Sequence, residues 1–308
     1  MSVPERVVAV VGPTASGKSS LAVQVARRLG RAEVVNVDSM QLYRGMDVGT
    51  AKPSQAERGG VVHHLFDVLD VSETASVAEF QGWARAAIAD CHARGVTPVL
   101  VGGSALYVRA VLDRLEFPGT DPAVRSRWAA ALESRGAEAL HGELARLDPA
   151  AAEQIQPSND RRLVRALEVI ELTGEPFPAT MPGHESIYDG LVMLGLDVPR
   201  DVLDRRLAQR VDVMWADGFV DEVRRLLPLG LAEGRTASRA LGYQQILAFL
   251  RGEMTEDEAR EATVTGTRKF ARRQDRLFRK DPRIHWLPYD AEDLVDRAME
   301  QVRGAVSE

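Results

Sequence analysis

A single cysteine, Cys91, stands in 308 residues, which leaves no partner for an internal disulfide and too few thiolates for a cysteine-based zinc site. Lysine is almost as scarce, at positions 18, 52, 269 and 280 only, so nearly all positive charge is carried by arginine. No apolar run approaches the ~20 residues that a membrane helix needs. The opening "MSVPERVVAVVG" enters a strand pattern at once and lacks the layout of a signal peptide, so a cytoplasmic location is expected. There are no internal repeats and no low-complexity tract. Nor is there an overall positive charge: the formal net charge is −6. That average conceals one patch. Residues 268–283, "RKFARRQDRLFRKDPR", hold eight Arg/Lys against two Asp.

What is present begins with "RVVAVVG" (6–12), a β-branched run ending in Gly that reads as a buried strand. "KSSLAVQVARRLG" (18–30) has helical spacing and a Gly stop. "AEVVNVDS" (32–39) reads as a second strand and "TPVLVGG" (97–103) as a third. Between them lies a helix over 76–95, with Ser76 and Glu79 spaced as a capping box; "SALYVRAVL" follows as another helix. This alternation predicts an α/β fold with a parallel sheet. From Asp121 the pattern becomes all-helical up to 173, then "TGEPFPATMPG" (173–183) breaks it, and "GLVMLGLDV" (190–198) returns to strand. Residues 121–185 therefore read as a helical insertion, with 1–120 and 186–308 forming the core. Helices are expected over 200–217, 218–228, 243–251, 255–280 and 291–305, with a last strand in "RIHWLPYD".

The chemistry starts at Gly12-Pro13-Thr14-Ala15-Ser16-Gly17-Lys18-Ser19, a complete G-x4-G-K-[ST] phosphate loop between a strand and a helix. Its glycines let backbone N–H groups face phosphate, the helix N-terminus adds a favourable field, and Lys18 adds a point charge. Ser19 is a candidate ligand for Mg²⁺. A kinase or ATPase also wants an acid at a strand end to hold that ion, yet the third strand ends "VLVGGS". The acid at a strand end near the loop is Asp38, which also reads as an ordinary turn cap. Adjacent His63 and His64 point apart on either a strand or a helix, and no Cys or third His is spaced to help; they read as structural.

"GPTASGKS", "DSMQLYRGMDVGTAKP", "VGGSALYVRA", "RALEVIELTGEP", "QRVDVMWADGFVDEV", "RALGYQQI" and "TRKFARRQ" occur in that order. Together, from residue 7 to about 287, they resemble the bacterial tRNA dimethylallyltransferases. The resemblance implies a P-loop NTPase-like core whose loop, residues 12–19, holds the pyrophosphate of dimethylallyl pyrophosphate with Mg²⁺. It implies transfer of the dimethylallyl group to N6 of adenine 37 in tRNAs reading codons that begin with U. Asp38 then corresponds to the base, and Arg210 to the arginine that reaches the pyrophosphate, with Ser19 beside them. Family contacts to the tRNA anticodon stem-loop fall on Asp38, Ser39, Met40 and Gln41; on Ser104 and Arg125; on Asn159, Asp160, Arg161, Arg162 and Leu163; on Arg239, Gly242, Tyr243 and Gln244; and on Arg272, Arg273, Gln274, Arg276 and Arg279. This sequence departs from the family pattern in having Ser104 for the usual Thr, Ala105 for Gly, Gln244 for Lys or Arg, and Leu277 for an aromatic residue. "DRRLVR" adds Arg165 one turn from Arg161; each basic cluster alone also reads as a solvated helix face. No membrane and no protein partner is implied. Rival readings are a P-loop kinase of a small metabolite, a prenyltransferase acting on free AMP, ADP or ATP, and a non-catalytic RNA-binding module.

Overall fold

The computed structural model describes residues 6–178 and 183–304. The part of the 173–183 break at 179–182, the extreme N-terminal residues 1–5 and the last residue of the helix expected over 291–305 lie outside it. Two compact units are present: residues 1–114 with 186–308, and Leu115–Glu185. The second unit thus begins at Leu115 rather than at Asp121.

In the first unit, six strands form one parallel sheet: β1 (Arg6–Val11), β2 (Ala32–Asn36), β3 (His63–His64), β4 (Thr97–Gly102), β5 (Gly190–Asp197) and β6 (Ile284–Pro288), ordered β3-β2-β4-β1-β5-β6. The architecture is α/β, as the strand–helix alternation predicted. Helices α1 (Lys18–Leu29), α2 (Val77–Ala93) and α3 (Ala105–Leu112) belong to its first half; α8 (Arg200–Ala216), α9 (Phe219–Leu226), α10 (Tyr243–Leu250), α11 (Glu256–Phe278) and α12 (Leu294–Gly304) belong to its second. The side-chain period of two divides β1 between the sheet's faces. Val7, Ala9 and Val11 join one core with residues of α2, α3, α9 and α10, whereas Val8 and Val10 join a second core with α1 and α12. Both faces are covered, so the strand reads as continuous β-branched apolar residues rather than alternation. None of the described helices is long and apolar enough to cross a membrane.

Local chemistry sets the element ends. Ser76 accepts the Glu79 amide while the Glu79 carboxylate accepts the Ser76 amide, the capping box expected for α2. Thr255 and Glu258 do the same for α11, whose first turn carries Glu256, Asp257 and Glu258. β2 is shorter than the 32–39 reading because Asn36, fully buried, turns the chain. Its side-chain oxygen accepts the Asp38 amide at 2.9 Å and its amide nitrogen donates to the carbonyls of Asp38 and Leu65.

His63 and His64 form the short edge strand β3 and are structural, as read; what needs correction is the expectation that no Cys stands near enough to join them, because Cys91 lies beside His64. Its Sγ is 3.9 Å from Nε2, and that nitrogen is 2.6 Å from Glu33. Residues far apart in sequence meet here because α2 packs against β2. Arg94 nevertheless forks both Glu33 oxygens at 2.7 Å, and this bond chiefly holds the carboxyl down to about 2. Burial pushes the Cys91 thiol up to about 11, so the sulfur is a neutral thiol beside a guanidinium. The cluster is a polar tie between β2 and α2.

The second unit contains α4 (Pro122–Arg135), α5 (Ala137–Leu147), α6 (Pro149–Gln154) and α7 (Asp160–Thr173), around a core of its own that includes Leu140, Leu144, Leu163 and Leu167. Its polar centre is Glu168, fully buried, which accepts hydrogen bonds from the Thr120 hydroxyl, the Asp121 amide, Arg125 and Arg165. Burial raises this carboxyl, but the Thr120 hydroxyl and the Arg165 and Arg125 guanidiniums outweigh it and leave it below the usual carboxylate range.

The chain leaves and re-enters the first unit at one place, where Asp113 and Ser186 form an antiparallel bridge and the Ile187 amide donates to Leu112. Excising 115–185 and joining 114 to 186 through a short linker is therefore expected to leave a folded, cooperatively melting core. Circular dichroism and a thermal melt of the excised chain check this; a non-cooperative melt would contradict it.

Candidate active site

The phosphate loop lies at the carboxyl end of β1, the central strand with β4 and β5 on either side, where open α/β sheets place their ligands. Gly17 caps α1 in the left-handed conformation (φ 101°), with no side chain satisfying the first-turn amides and no acidic residue in that turn. Amides so placed suit an anion, with a favourable helix field. Ala15 is also left-handed, at φ 62°, a local strain typical of functional turns. Inside the loop the Ser16 hydroxyl is buried and has no hydrogen-bond partner among the described residues.

Lys18 is half-buried and, among the described residues, its ammonium reaches only the Pro13 carbonyl, at 3.3 Å. Arg210 approaches from α8 and donates to the Thr50 carbonyl at 3.2 Å. Among the described residues, neither forms an ion pair with a carboxylate. Burial and then the charge of Arg210 hold the Lys18 ammonium down to about 8, with Asp38 opposing them. Burial likewise lowers Arg210 from its ordinary value, against Asp38 and Glu57. Two half-buried cations thus stand with one half-buried carboxylate, Asp38, while Glu57 is exposed, and this balance favours an anion.

Asp38 sits in the turn after β2, half-buried, with Oδ1 accepting the Met40 amide at 2.9 Å; Oδ2 has no hydrogen-bond partner among the described residues. The turn-cap reading is thus geometrically real, and it leaves one oxygen available. Asp38 lines a cavity of about 550 Å³ together with Ser39, Met40, Arg210 and Thr14. Across it stand Ser104 at the start of α3 and Arg239, Tyr243 and Gln244 around the start of α10, with Arg273 and Gln274 of α11. Sequence reasoning missed its apolar walls, Leu207, Val211 and Met214 of α8 with Leu241 and Phe270, and also Gly49, Thr50 and Lys269. Except for Leu207, their signal lay in the quoted motifs "MDVGTAKP", "QRVDVM", "RALGYQQI" and "TRKFARRQ", where these positions were not singled out.

Several expected nucleic-acid contacts are engaged within the chain. Gln274 is buried; its oxygen accepts the Thr14 amide at 3.0 Å and its nitrogen donates to the Gly103 carbonyl at 2.7 Å, so it clips the phosphate loop to the β4–α3 turn. Arg279 pairs with Asp197 and stacks on Trp286, and Arg283 of the basic segment pairs with Asp113 and Asp281. Arg272 lies 3.6 Å from Asp204, Arg273 packs over the Phe270 ring, and Arg276 is exposed. Gln41 donates to the carbonyls of Thr50 and Ala51, and Gly242 caps α10. In the helical unit, Asn159, Asp160 and Arg161 are exposed at the start of α7, with Arg162 half-buried. Leu163, by contrast, belongs to the core, and Arg125 and Arg165 are held by Glu168.

For Mg²⁺ the available donors are hard oxygens: the Ser19 hydroxyl, exposed in the first turn of α1, and the free oxygen of Asp38. Together with the orphaned Ser16 hydroxyl and the open amides, they fit a hydrated Mg²⁺–phosphate ligand.

Comparison with known proteins agrees with this arrangement. Residues 41–281 match the family model described as IPP transferase, and the chain belongs to that family. It is 63% identical over 296 residues to a tRNA dimethylallyltransferase of Thermobifida fusca, covering 95% of this chain and 92% of that protein. A tRNA dimethylallyltransferase of Streptomyces coelicolor is 64% identical over 291 residues, covering 94% and 93%. Among solved structures, the tRNA isopentenylpyrophosphate transferase of Bacillus halodurans superposes with a TM-score of 0.73 at 40% identity, covering 98% and 97%. A eukaryotic dimethylallyltransferase acting on tRNA gives 0.81 at 26% identity, covering 96% and 77%.

The depressed Lys18 ammonium makes a pH test specific. A group near 8 is mostly charged at pH 7 and mostly neutral at pH 9, so affinity for inorganic pyrophosphate should fall by up to about tenfold across that range. Lys18→Arg stays charged and should show only the ligand's own titration. Calorimetry of both proteins across the range checks this; parallel pH profiles would refute it.

Proposed function

We propose that this chain transfers a dimethylallyl group from dimethylallyl pyrophosphate to N6 of adenine 37 of tRNA, releasing pyrophosphate. The observation that carries the reading is that Asp38 and Arg210 line one cavity, with Lys18 of the phosphate loop near enough for both to act on its charge. That is a proton acceptor opposite an anion site, with apolar side chains between. A kinase needs an acid to hold its metal at the end of the third strand, and β4 ends in Gly102-Gly103-Ser104 instead.

Each group has a definable task. An exocyclic adenine amine is a poor nucleophile because its lone pair is delocalised into the ring. As the N–C bond forms, its proton goes to the free oxygen of Asp38. The C–O bond of the donor breaks with its electron pair leaving on pyrophosphate, and Lys18, Arg210, the Ser16 hydroxyl and the α1 amides meet that growing charge. Mg²⁺, held by Ser19 and the donor's phosphate oxygens, would add further neutralisation there. Leu207, Val211, Met214 and Phe270 suit the isoprenyl carbons and exclude water that would otherwise capture them. The adenine must leave its stack to enter, at a cost of a few kcal/mol. Arg239 and Arg273 at the cavity, exposed Arg272 and Arg276 on α11, and Arg161 on the helical unit supply charge for the anticodon stem-loop.

The direct test is incubation with labelled dimethylallyl pyrophosphate, Mg²⁺ and either unmodified tRNA or AMP. Label in tRNA supports the reading. Label in AMP identifies a cytokinin-type enzyme, and ATP turnover with no use of the prenyl donor identifies a kinase. In the same assay, Asp38→Asn is expected to slow single-turnover transfer by roughly 10²–10⁴ while donor and tRNA affinities persist. Loss of donor affinity with partial rescue by extra Mg²⁺ would make Asp38 a metal ligand instead, and near-normal turnover would leave it a turn cap. The chain excised of 115–185 should keep donor affinity and lose most tRNA affinity in filter binding; undiminished stem-loop binding would place recognition elsewhere.

A further inference from the structure

Glu222 was not among the residues expected at the site, and it is one of the most completely buried carboxylates in the chain, at 1% exposure. One of its oxygens accepts the amides of Asp47 and Val48, at 3.0 and 2.7 Å. The other accepts the Gly49 amide at 3.0 Å and the Tyr243 hydroxyl at 2.6 Å. Three consecutive backbone donors converging on one carboxylate form an anion nest, and the four bonds offset the cost of burying the charge. Such a carboxylate is anchored from both sides, by the loop before it in sequence and by α10 after it.

The surroundings leave the loop little room. The Phe219 ring, one turn earlier on α9, lies against Gly49 and Gly242; a Cβ added to either glycine would come within 2.1 and 2.4 Å of it. Directly after the three amides comes Thr50, whose carbonyl accepts both Arg210, at 3.2 Å, and the Gln41 side chain, at 3.2 Å. One carbonyl therefore joins the cation of the anion site to the segment that follows Asp38, and the peptides beside it are held by Glu222.

We propose that Glu222 is a positioning residue for group transfer: it fixes the 47–50 loop so that the Thr50 carbonyl aims Arg210 at the leaving pyrophosphate. This rests on the reading of Arg210 as a donor contact. A neutral amide at 222 would turn its nitrogen toward two of the four donors, so the loop must shift and carry Thr50 with it.

The test is a kinetic cycle on the full chain with Glu222→Gln, Arg210→Ala and the double variant, with Tyr243→Phe as a milder change that removes one bond of the four. Glu222→Gln is expected to lower kcat/KM for dimethylallyl pyrophosphate by about tenfold or more while tRNA affinity in filter binding is retained. Tyr243→Phe should show a smaller loss in the same direction. In the Arg210→Ala background, adding Glu222→Gln should cost less than about twofold, because residues acting through one another are not additive. Full additivity in the double variant, or a lowered melting temperature with unchanged constants per folded molecule, overturns the proposal and leaves Arg210 in place. An Arg210→Ala variant with an unaltered donor KM overturns the donor reading of Arg210, and this proposal with it. If Glu222→Gln does not fold, Tyr243→Phe replaces it in the same cycle.

Discussion

Two like charges held together where water is scarce govern this structure. Lys18 and Arg210 repel each other, and each is weakened as a cation by its surroundings. The arrangement persists because a rigid frame holds both: a loop locked between β1 and α1 for Lys18, and a backbone carbonyl for Arg210. Folding thus holds electrostatic work in reserve, which an anion releases on arrival. Preorganised charge of this kind favours the state in which negative charge is greatest.

The chain's other arginines show the opposite economy. Arg125 and Arg165 converge on Glu168, Arg283 joins Asp113 to Asp281, and Arg279 is divided between Asp197 and Trp286. These guanidiniums are structural fasteners. The basic stretch 268–283 therefore presents less charge outward than its composition suggests, and α11 serves two purposes. Its buried side clips the phosphate loop through Gln274, and its outer side carries Arg272 and Arg276.

The sheet was legible because the interiors of β1, β4 and β5 are buried on both faces and so are written as short, mainly apolar runs rich in Val and Leu, and α2 because its cap is spelled in Ser76 and Glu79. The phosphate loop was legible because its chemistry is local in sequence. Glu222, Gln274 and the Glu33–His64–Cys91 tie were not. Each acts on backbone or side chains 21 or more residues away, so nothing in their own neighbourhood marks them. Leu163 shows the reverse failure: a motif neighbour of charged residues inherits their role on paper, while its helical phase turns it into the core.

The strand order has a consequence in time. β1 is the first strand to leave the ribosome, yet its two partners begin at Thr97 and Gly190. At roughly 5–20 residues per second, tens of seconds pass between the synthesis of the central strand and that of its second neighbour. Throughout that interval a run of apolar, mostly β-branched residues has at least one open edge. The most deeply buried segment of the finished enzyme is thus the one that spends longest unprotected, and the nascent chain is most exposed to misassociation before the helical unit and β5 have been made.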